Sequence, residues 1–145
     1  LGPGSRYCSI LPTMLVGGVA EAVARSRALK VMVLNLMTQP GETDGYSAVD
    51  HLQAVLHNVG PVVECALVHH GLHDARALER YAREGARPVN GDCNAIEDLG
   101  VRVVRGDLTA AGARIRHDPQ KLGAWIVKLA KLKRQLDIQR GHKEG

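Results

Sequence analysis

Between Asn35 and Ser47 the chain reads Asn-Leu-Met-Thr-Gln-Pro-Gly-Glu-Thr-Asp-Gly-Tyr-Ser, directly after the apolar run Val31–Leu34. Asn35, Thr38, Gln39, Glu42 and Thr43 place paired hydrogen-bond donors and acceptors in one short loop. Such groups suit the edge of a base, ribose hydroxyls or an N-acetyl group better than nucleophilic attack. They could instead satisfy one another, with Asn35 and Asp44 making side-chain turns. Pro40-Gly41 and Asp44-Gly45 read as turn formers. A strand over the apolar run would put this loop beyond its carboxyl end, where open parallel sheets bind ligands.

A second polar group opens the chain. Gly2, Gly4 and Ser5 precede a helical segment, and their backbone N–H groups would suit a phosphate; a plain turn has the same composition. Tyr7 follows as a further contact. Arg6 either adds a phosphate contact or faces solvent. Asp50 and His51 fall in the first turn of a helix starting at Ser47, Asp50 as a capping residue. His51 either orients a diphosphate or occupies the helix surface. Arg116 precedes Asp118-Pro119, where a planar guanidinium beside free N–H groups would clamp a diphosphate or simply pair with Asp118.

Other constellations point away from chemistry. His69 and His70 are adjacent and would face opposite sides of an extended chain. With His73 they lack a Cys or carboxylate spaced to complete a zinc site, so no metal is expected. Cys65 lies within a strand pattern and Cys93 beside a turn, and neither has a base visible in the sequence. Ser5 and Ser9 have no identifiable His partner, and the carboxylates are scattered rather than paired. A binding module is favoured over an enzyme.

The elements that must position these residues alternate short apolar runs with helix-period segments, which predicts an α/β fold with a mostly parallel sheet and flanking helices. Helix is expected through Leu15, resuming after Gly17-Gly18 to Arg27. Strands are expected at Lys30–Leu34, Val62–Val68 and Val101–Val104, with a brief fourth at Arg114–Arg116. Helices are expected at Ser47–Val59, Ala75–Glu84, Ile96–Leu99 and from Asp118-Pro119 to about Asp137. Asp118 is the N-cap of the last and Pro119 its first position. Trp125 and Leu129 share a face and should be core. Residues 1–140 read as one domain or part of one, with a frayed tail at 141–145. The opening glycine loop has no strand before it, so the fold is expected to be an incomplete portion with an exposed sheet edge that self-associates.

The chain has 145 residues, enough to bury roughly 70% of its unfolded surface. Phe is absent, so the core must come from Val, Leu, Ile and Ala. Three widely spaced cysteines argue against a disulfide framework and for a reducing cytoplasm. No apolar run approaches the ~20 residues of a membrane span. From Lys128 onward, Lys128, Lys131, Lys133, Arg134, Arg140 and Lys143 stand against Asp137 and Glu144, which accounts for the whole net charge of +4. Without an aromatic platform this reads as a solvated helix end rather than a nucleic-acid surface.

Three blocks carry a resemblance. Leu1-Gly2-Pro3-Gly4-Ser5 with Tyr7, Ser9-Ile10-Leu11-Pro12, the Asn35–Ser47 loop with Asp50-His51, and Arg116-His117-Asp118-Pro119 with Lys121-Leu122 together resemble the YvcK-type gluconeogenesis factors of the CofD-like superfamily. The likeness covers nearly the whole chain and corresponds to the C-terminal half of those proteins. It implies a Rossmann-like fold, a cytoplasmic bacterial protein and binding of a UDP-N-acetylglucosamine-type nucleotide sugar without a required cofactor. It also implies a regulatory role in carbon metabolism, cell-wall synthesis and cell shape, and a missing N-terminal half as partner. It places Arg116 at the nucleotide-sugar site. Arg6 stands where that family usually has an apolar residue. The sister branch, phospho-lactate-type transferases acting on a nucleotide-activated substrate, is the enzymatic alternative; it lacks the Thr-Gln-Pro-Gly-Glu-Thr block.

Overall fold

Val31, Met32 and Val33 form a strand (β1, Val31–Val33) whose alternate side chains face the two sides of a sheet. The computed structural model describes residues 1–112 and 114–141. β1 pairs in parallel with β2 (Cys65–His69), and β2 with β3 (Arg102–Gly106), in the order β1-β2-β3. Each parallel pair needs a crossover. The first is α3 (Ala48–Val59); the second is α4 (Ala75–Arg83) and α5 (Cys93–Glu97).

One sheet face, from Met32, Leu34, Ala66 and Val68, packs on Leu52 and Val55 of α3 and Ile96 of α5, all deeply buried. Ile10, Leu11 and Met14 of the opening helical segment join this core. The opposite face, from Val33, Leu67 and Leu108, is covered by Leu122 and Trp125 of α6 (Pro119–Gly141). Leu129 is also buried, as its spacing from Trp125 predicts. A Cβ at Gly106 would collide with the Trp125 indole, so the end of β3 must be glycine for α6 to lie this close.

Helix ends follow their caps. Ser47 and Asp50 form a reciprocal capping box at the start of α3. Asp74 accepts from Ala77 N at 2.8 Å before α4, and Asp118 Oδ1 accepts from Gln120 N at 2.8 Å and Lys121 N at 3.0 Å before α6. The first helical segment is not uniform. Arg6–Ile10 is a π-turn, followed by α1 (Leu11–Met14) and, after the glycine pair, α2 (Val19–Arg25). Pro12 has no N–H to give to a carbonyl four residues back, and the backbone widens so that Ile10 N donates to Ser5 O.

Several expectations need correction, one being the helix placed at Ile96–Leu99, which instead runs Cys93–Glu97 behind its Asp92 cap. Arg114–Arg116 is not a strand: Thr109 and His117 form an isolated antiparallel bridge, and the segment folds back on Leu108–Ala110. Only Ile115 there has apolar surface to bury, and it packs with Leu36, Met37 and Ala86. The second strand begins at Cys65 rather than Val62, because Val62 N turns back to Gly60 O. The third runs two residues beyond Val104, and α6 continues past Asp137 to Gly141. The tail expected to fray at 141–145 lies, from residue 142, outside the described residues.

β1 has one open side. There the Leu1 ammonium donates to Val31 O at 2.6 Å, and Val33 N donates to Leu1 O at 2.9 Å, the bonding of one residue of a parallel strand. Among the described residues no single helix is long and apolar enough to cross a membrane.

Candidate functional site

The opening glycine loop and the Asn35–Ser47 loop meet at the carboxyl end of β1. Gly2 has φ +71°, and a Cβ on it would lie 2.9 Å from Val33 O. Gly4 N donates to Asn35 Oδ1 at 3.4 Å. Ser5 Oγ donates to Glu42 Oε2 at 2.8 Å and accepts from Cys8 N at 3.0 Å. Cys8 Sγ donates to the other oxygen, Glu42 Oε1, at 3.3 Å. Tyr7 Oη and Tyr46 Oη share a hydrogen bond of 3.1 Å. Two loops distant in sequence thus form one polar surface.

Within the second loop some predicted contact groups are already used. Thr38 is buried, its N–H and Oγ1 bonded to the backbone of Arg87 at 2.7 and 2.9 Å. Thr43 is fully buried, and its Oγ1 accepts from Gln39 N at 2.8 Å. These two threonines hold the loop's shape. The Gln39 side chain is different: its Oε1 is buried without a hydrogen-bond partner. Asp44 Oδ2 accepts from Gly41 N at 2.7 Å, closing the side-chain turn its spacing suggests.

His51 corrects one expectation. It is 1% exposed rather than on the helix surface, packs edge-on against Tyr46 at 5.7 Å, and leaves Nε2 unpartnered. Arg6 corrects another. It does not face solvent: it is 1% exposed, with Nε and Nη1 lacking acceptors. Its Cζ lies 5.7 Å from the Tyr7 ring centre and 5.3 Å from that of Tyr46. Burial pushes its guanidinium below the usual arginine range, opposed by Tyr7, Tyr46 and Asp50. Hydrogen bonds from the Ser47 hydroxyl and N–H hold the Asp50 carboxyl below its ordinary value, and the bond to Tyr7 pushes the Tyr46 phenol up.

Arg116 is exposed beside the Thr109–His117 bridge. Among the described residues it forms no ion pair with Asp118, whose carboxylate is occupied in capping α6. Its neighbour His117 faces the Leu34 carbonyl at the end of β1, so this segment borders the same end of the sheet. His117 Nε2 and His69 Nε2 are both buried and unpartnered. His69 Nδ1 accepts from Leu108 N at 3.2 Å, and its ring stacks at 4.8 Å on His73. Burial lowers the pKa of all three imidazoles. His70, just beyond β2, is exposed. Among the described residues no group of three His, Cys, Asp or Glu side chains is arranged to hold a metal ion.

A cleft of about 280 Å³ opens beside the second loop, lined by Thr38, Tyr46, Ser47, Arg87 and Asn90. Larger hollows of about 560 and 590 Å³ lie elsewhere, alongside α6 next to Leu29, Lys133 and Asp137. The second of these is mainly apolar, and neither holds the unpartnered polar groups that crowd the strand ends. The smaller cleft is the one of the three that borders the Asn35–Ser47 loop, and the unpartnered polar atoms belong to residues outside its lining.

The sequence reading missed Tyr46, Arg87, His117 and the buried state of Arg6. For Arg6 a signal was available: Arg6, Ile10 and Met14 recur at four-residue spacing, on the face that enters the core. Arg87 acts through its backbone, which side-chain chemistry does not reveal.

These features define an α/β protein with a polar, glycine-lined face at the carboxyl ends of parallel strands. Residues 1–109 match the family described as 2-phospho-L-lactate transferase CofD, and the chain belongs to the CofD family. It is similar to the gluconeogenesis factor of Bacillus subtilis, 38% identical over 90% of this chain and 42% of the relative. It is also similar to that of Halalkalibacterium halodurans, 46% identical over 72% of this chain and 33% of the relative. A crystal structure of a UPF0052 family member from Bacillus halodurans superposes with a TM-score of 0.84 at 41% identity, covering 87% of this chain and 41% of that one. The chain spans 29% of the length of its Nostoc relative and 40% of its Aquifex aeolicus relative. The YvcK-type resemblance and the reading of this fold as a portion of a larger one agree with these matches.

Proposed function

We propose that the chain is the part of a gluconeogenesis-factor-type regulator that binds a nucleotide sugar of the UDP-N-acetylglucosamine kind. The observation that carries this reading is the junction of Gly4 with Asn35 and Ser5 with Glu42, which joins a glycine loop to a polar loop at the strand ends. Backbone N–H groups of the first loop take the diphosphate. Gln39, whose Oε1 has no partner, and Asn35 read the base, ribose or N-acetyl group. Arg116, exposed and without an ion pair to Asp118, closes on the diphosphate from the side of α6. Tyr7 lines the same surface, and the buried His51 supports it through its edge-on contact with Tyr46. No resident cofactor is needed; a role in carbon metabolism accords with the relatives' name, and the regulation extends to cell-wall synthesis and cell shape.

The open side of β1, where among the described residues Leu1 alone pairs, is the edge at which further chain of a longer protein, or a second copy, adds to the sheet. The relatives' greater length supports the first occupant. Light scattering decides for the isolated chain: self-association is expected, and a monodisperse monomer would count against an unsatisfied edge.

The family description favours one other reading, a phospho-lactate-type transferase acting on a nucleotide-activated substrate. Incubation with a nucleotide-activated lactate and a deazaflavin acceptor separates the two: a binder retains nucleotide sugar and makes no product, whereas product formation would establish the transferase.

A further inference from the structure

Among the described residues Arg6 is the largest side chain that is fully buried, and it is charged. Neither Nε nor Nη1 has an acceptor. The carboxylate that stabilises its charge, Asp50, is engaged by Ser47 N at 2.8 Å and Ser47 Oγ at 2.6 Å, and among the described residues no ion pair joins it to Arg6. Glu42 is taken by Ser5 and Cys8, and Asp44 by Gly41 N. A buried cation left this way is costly in the unliganded protein. The rings of Tyr7 and Tyr46 lie against it, joined by one exposed hydrogen bond between neutral phenols, and the Tyr7 side chain also hydrogen-bonds the guanidinium. Tyr46, whose ring centre lies 5.3 Å from the guanidinium carbon, also lines the 280 Å³ cleft.

We propose that Arg6 is an anion receptor beneath a removable tyrosine pair, and that a phosphoryl group entering from the cleft displaces the Tyr7–Tyr46 contact to reach the guanidinium. This rests on the ligand face described above but adds a residue and an opening step. A bond between two exposed neutral hydroxyls contributes little to stability, whereas a charge-assisted bond from arginine to a phosphoryl oxygen contributes more, so the exchange favours the open, liganded form. The class of ligand selected is one that presents a tetrahedral oxyanion, as a nucleoside diphosphate does.

Inorganic pyrophosphate is the probe, with the 145-residue chain and its Arg6→Met, Arg6→Lys and Tyr46→Phe variants. Thermal melting and tyrosine ionisation by ultraviolet absorbance are read with and without it. Pyrophosphate is expected to raise the melting temperature of the parent chain. It should also move the ionisation of one tyrosine, because Tyr46 loses its bond to Tyr7 and the neighbouring Arg6 charge is met by the anion. Arg6→Met is expected to melt above the parent without pyrophosphate and to bind it at least tenfold more weakly, with Arg6→Lys intermediate. Tyr46→Phe, which removes the covering bond, is expected to bind several-fold more tightly. An Arg6→Met chain that melts below the parent, or that binds pyrophosphate as tightly, would overturn the proposal, as would no binding or an unmoved tyrosine titration in the parent. Titration with UDP-N-acetylglucosamine separates the two readings. Loss of that binding with the pyrophosphate signatures intact removes the nucleotide sugar and keeps the receptor; the converse removes the receptor alone.

Discussion

Ser5 Oγ donates to Glu42 Oε2 at 2.8 Å, joining two loops whose residues are 37 apart in sequence. Because Glu42 also accepts from Cys8 Sγ at 3.3 Å, one carboxylate ties the π-turn to the loop after β1. The tie adds to the Gly4–Asn35 and Tyr7–Tyr46 contacts that join the two loops at the strand ends. Glu42→Ala is expected to lower stability by about 1–2 kcal/mol, the worth of hydrogen bonds to a charged acceptor. Chemical denaturation checks this; an unchanged midpoint would show that the loops are held together elsewhere.

Gly2 approaches the end of β1 more closely than any other residue type could. Its φ of +71° opposes a side chain, and so does the gap of 2.9 Å that would separate an added Cβ from Val33 O. Gly2→Ala is expected to cost about 1–3 kcal/mol through backbone strain and displacement of β1. A melting curve matching the parent would mean that the glycine loop repositions freely.

Gln39 and Arg116 separate binding from folding. The main-chain bond from Gln39 N to Thr43 Oγ1 survives truncation of the side chain, so Gln39→Ala should leave the loop intact. It should weaken nucleotide-sugar binding by about 1–3 kcal/mol if Oε1 takes a ligand donor. Arg116→Ala should likewise damage affinity while leaving the melting temperature unchanged. For either variant, calorimetry showing parental affinity in a folded chain would remove that residue from the site.

Acid is expected to loosen the strand ends. His69, His73 and His117 are held below the ordinary imidazole range, in each case chiefly by burial. Between their folded values and the unfolded value of about 6.5, the unfolded chain binds more protons. The neutral rings therefore contribute stability that is present above that unfolded value and is lost as pH falls through the folded ones. Melting temperature should decline from pH 7 to pH 5, and His117→Gln should make the decline shallower. A flat profile would mean that the three rings titrate alike in both states.

The sheet is legible where apolar alternation and burial coincide, as at Val31–Leu34, and the helices where caps are unambiguous, as at Ser47 and Asp118. Boundaries shift where local backbone geometry overrides composition. Val62 and Val63 look like strand and are buried, yet the turn after Gly60 delays pairing until Cys65. Arg114–Arg116 has the residues of a short strand, but its backbone folds onto Leu108–Ala110 instead of the free side of β3. In the site, polar composition locates the loops but not the division of labour. Thr38 and Thr43 spend their hydroxyls on the protein, whereas Gln39 keeps an unpartnered atom, and only three-dimensional pairing separates them. A charge beside a glycine loop reads as exposed, while the helical spacing of Arg6 from Ile10 and Met14 carries it inward.

The most direct test of the ligand face is calorimetric titration of this chain with UDP-N-acetylglucosamine, with UDP and NAD as comparators. Saturable binding that prefers the UDP-sugar, and that weakens in Gln39→Ala and Arg116→Ala, is the predicted result. No preference for the UDP-sugar, both in this chain shown folded by circular dichroism and in a full-length relative, would contradict it.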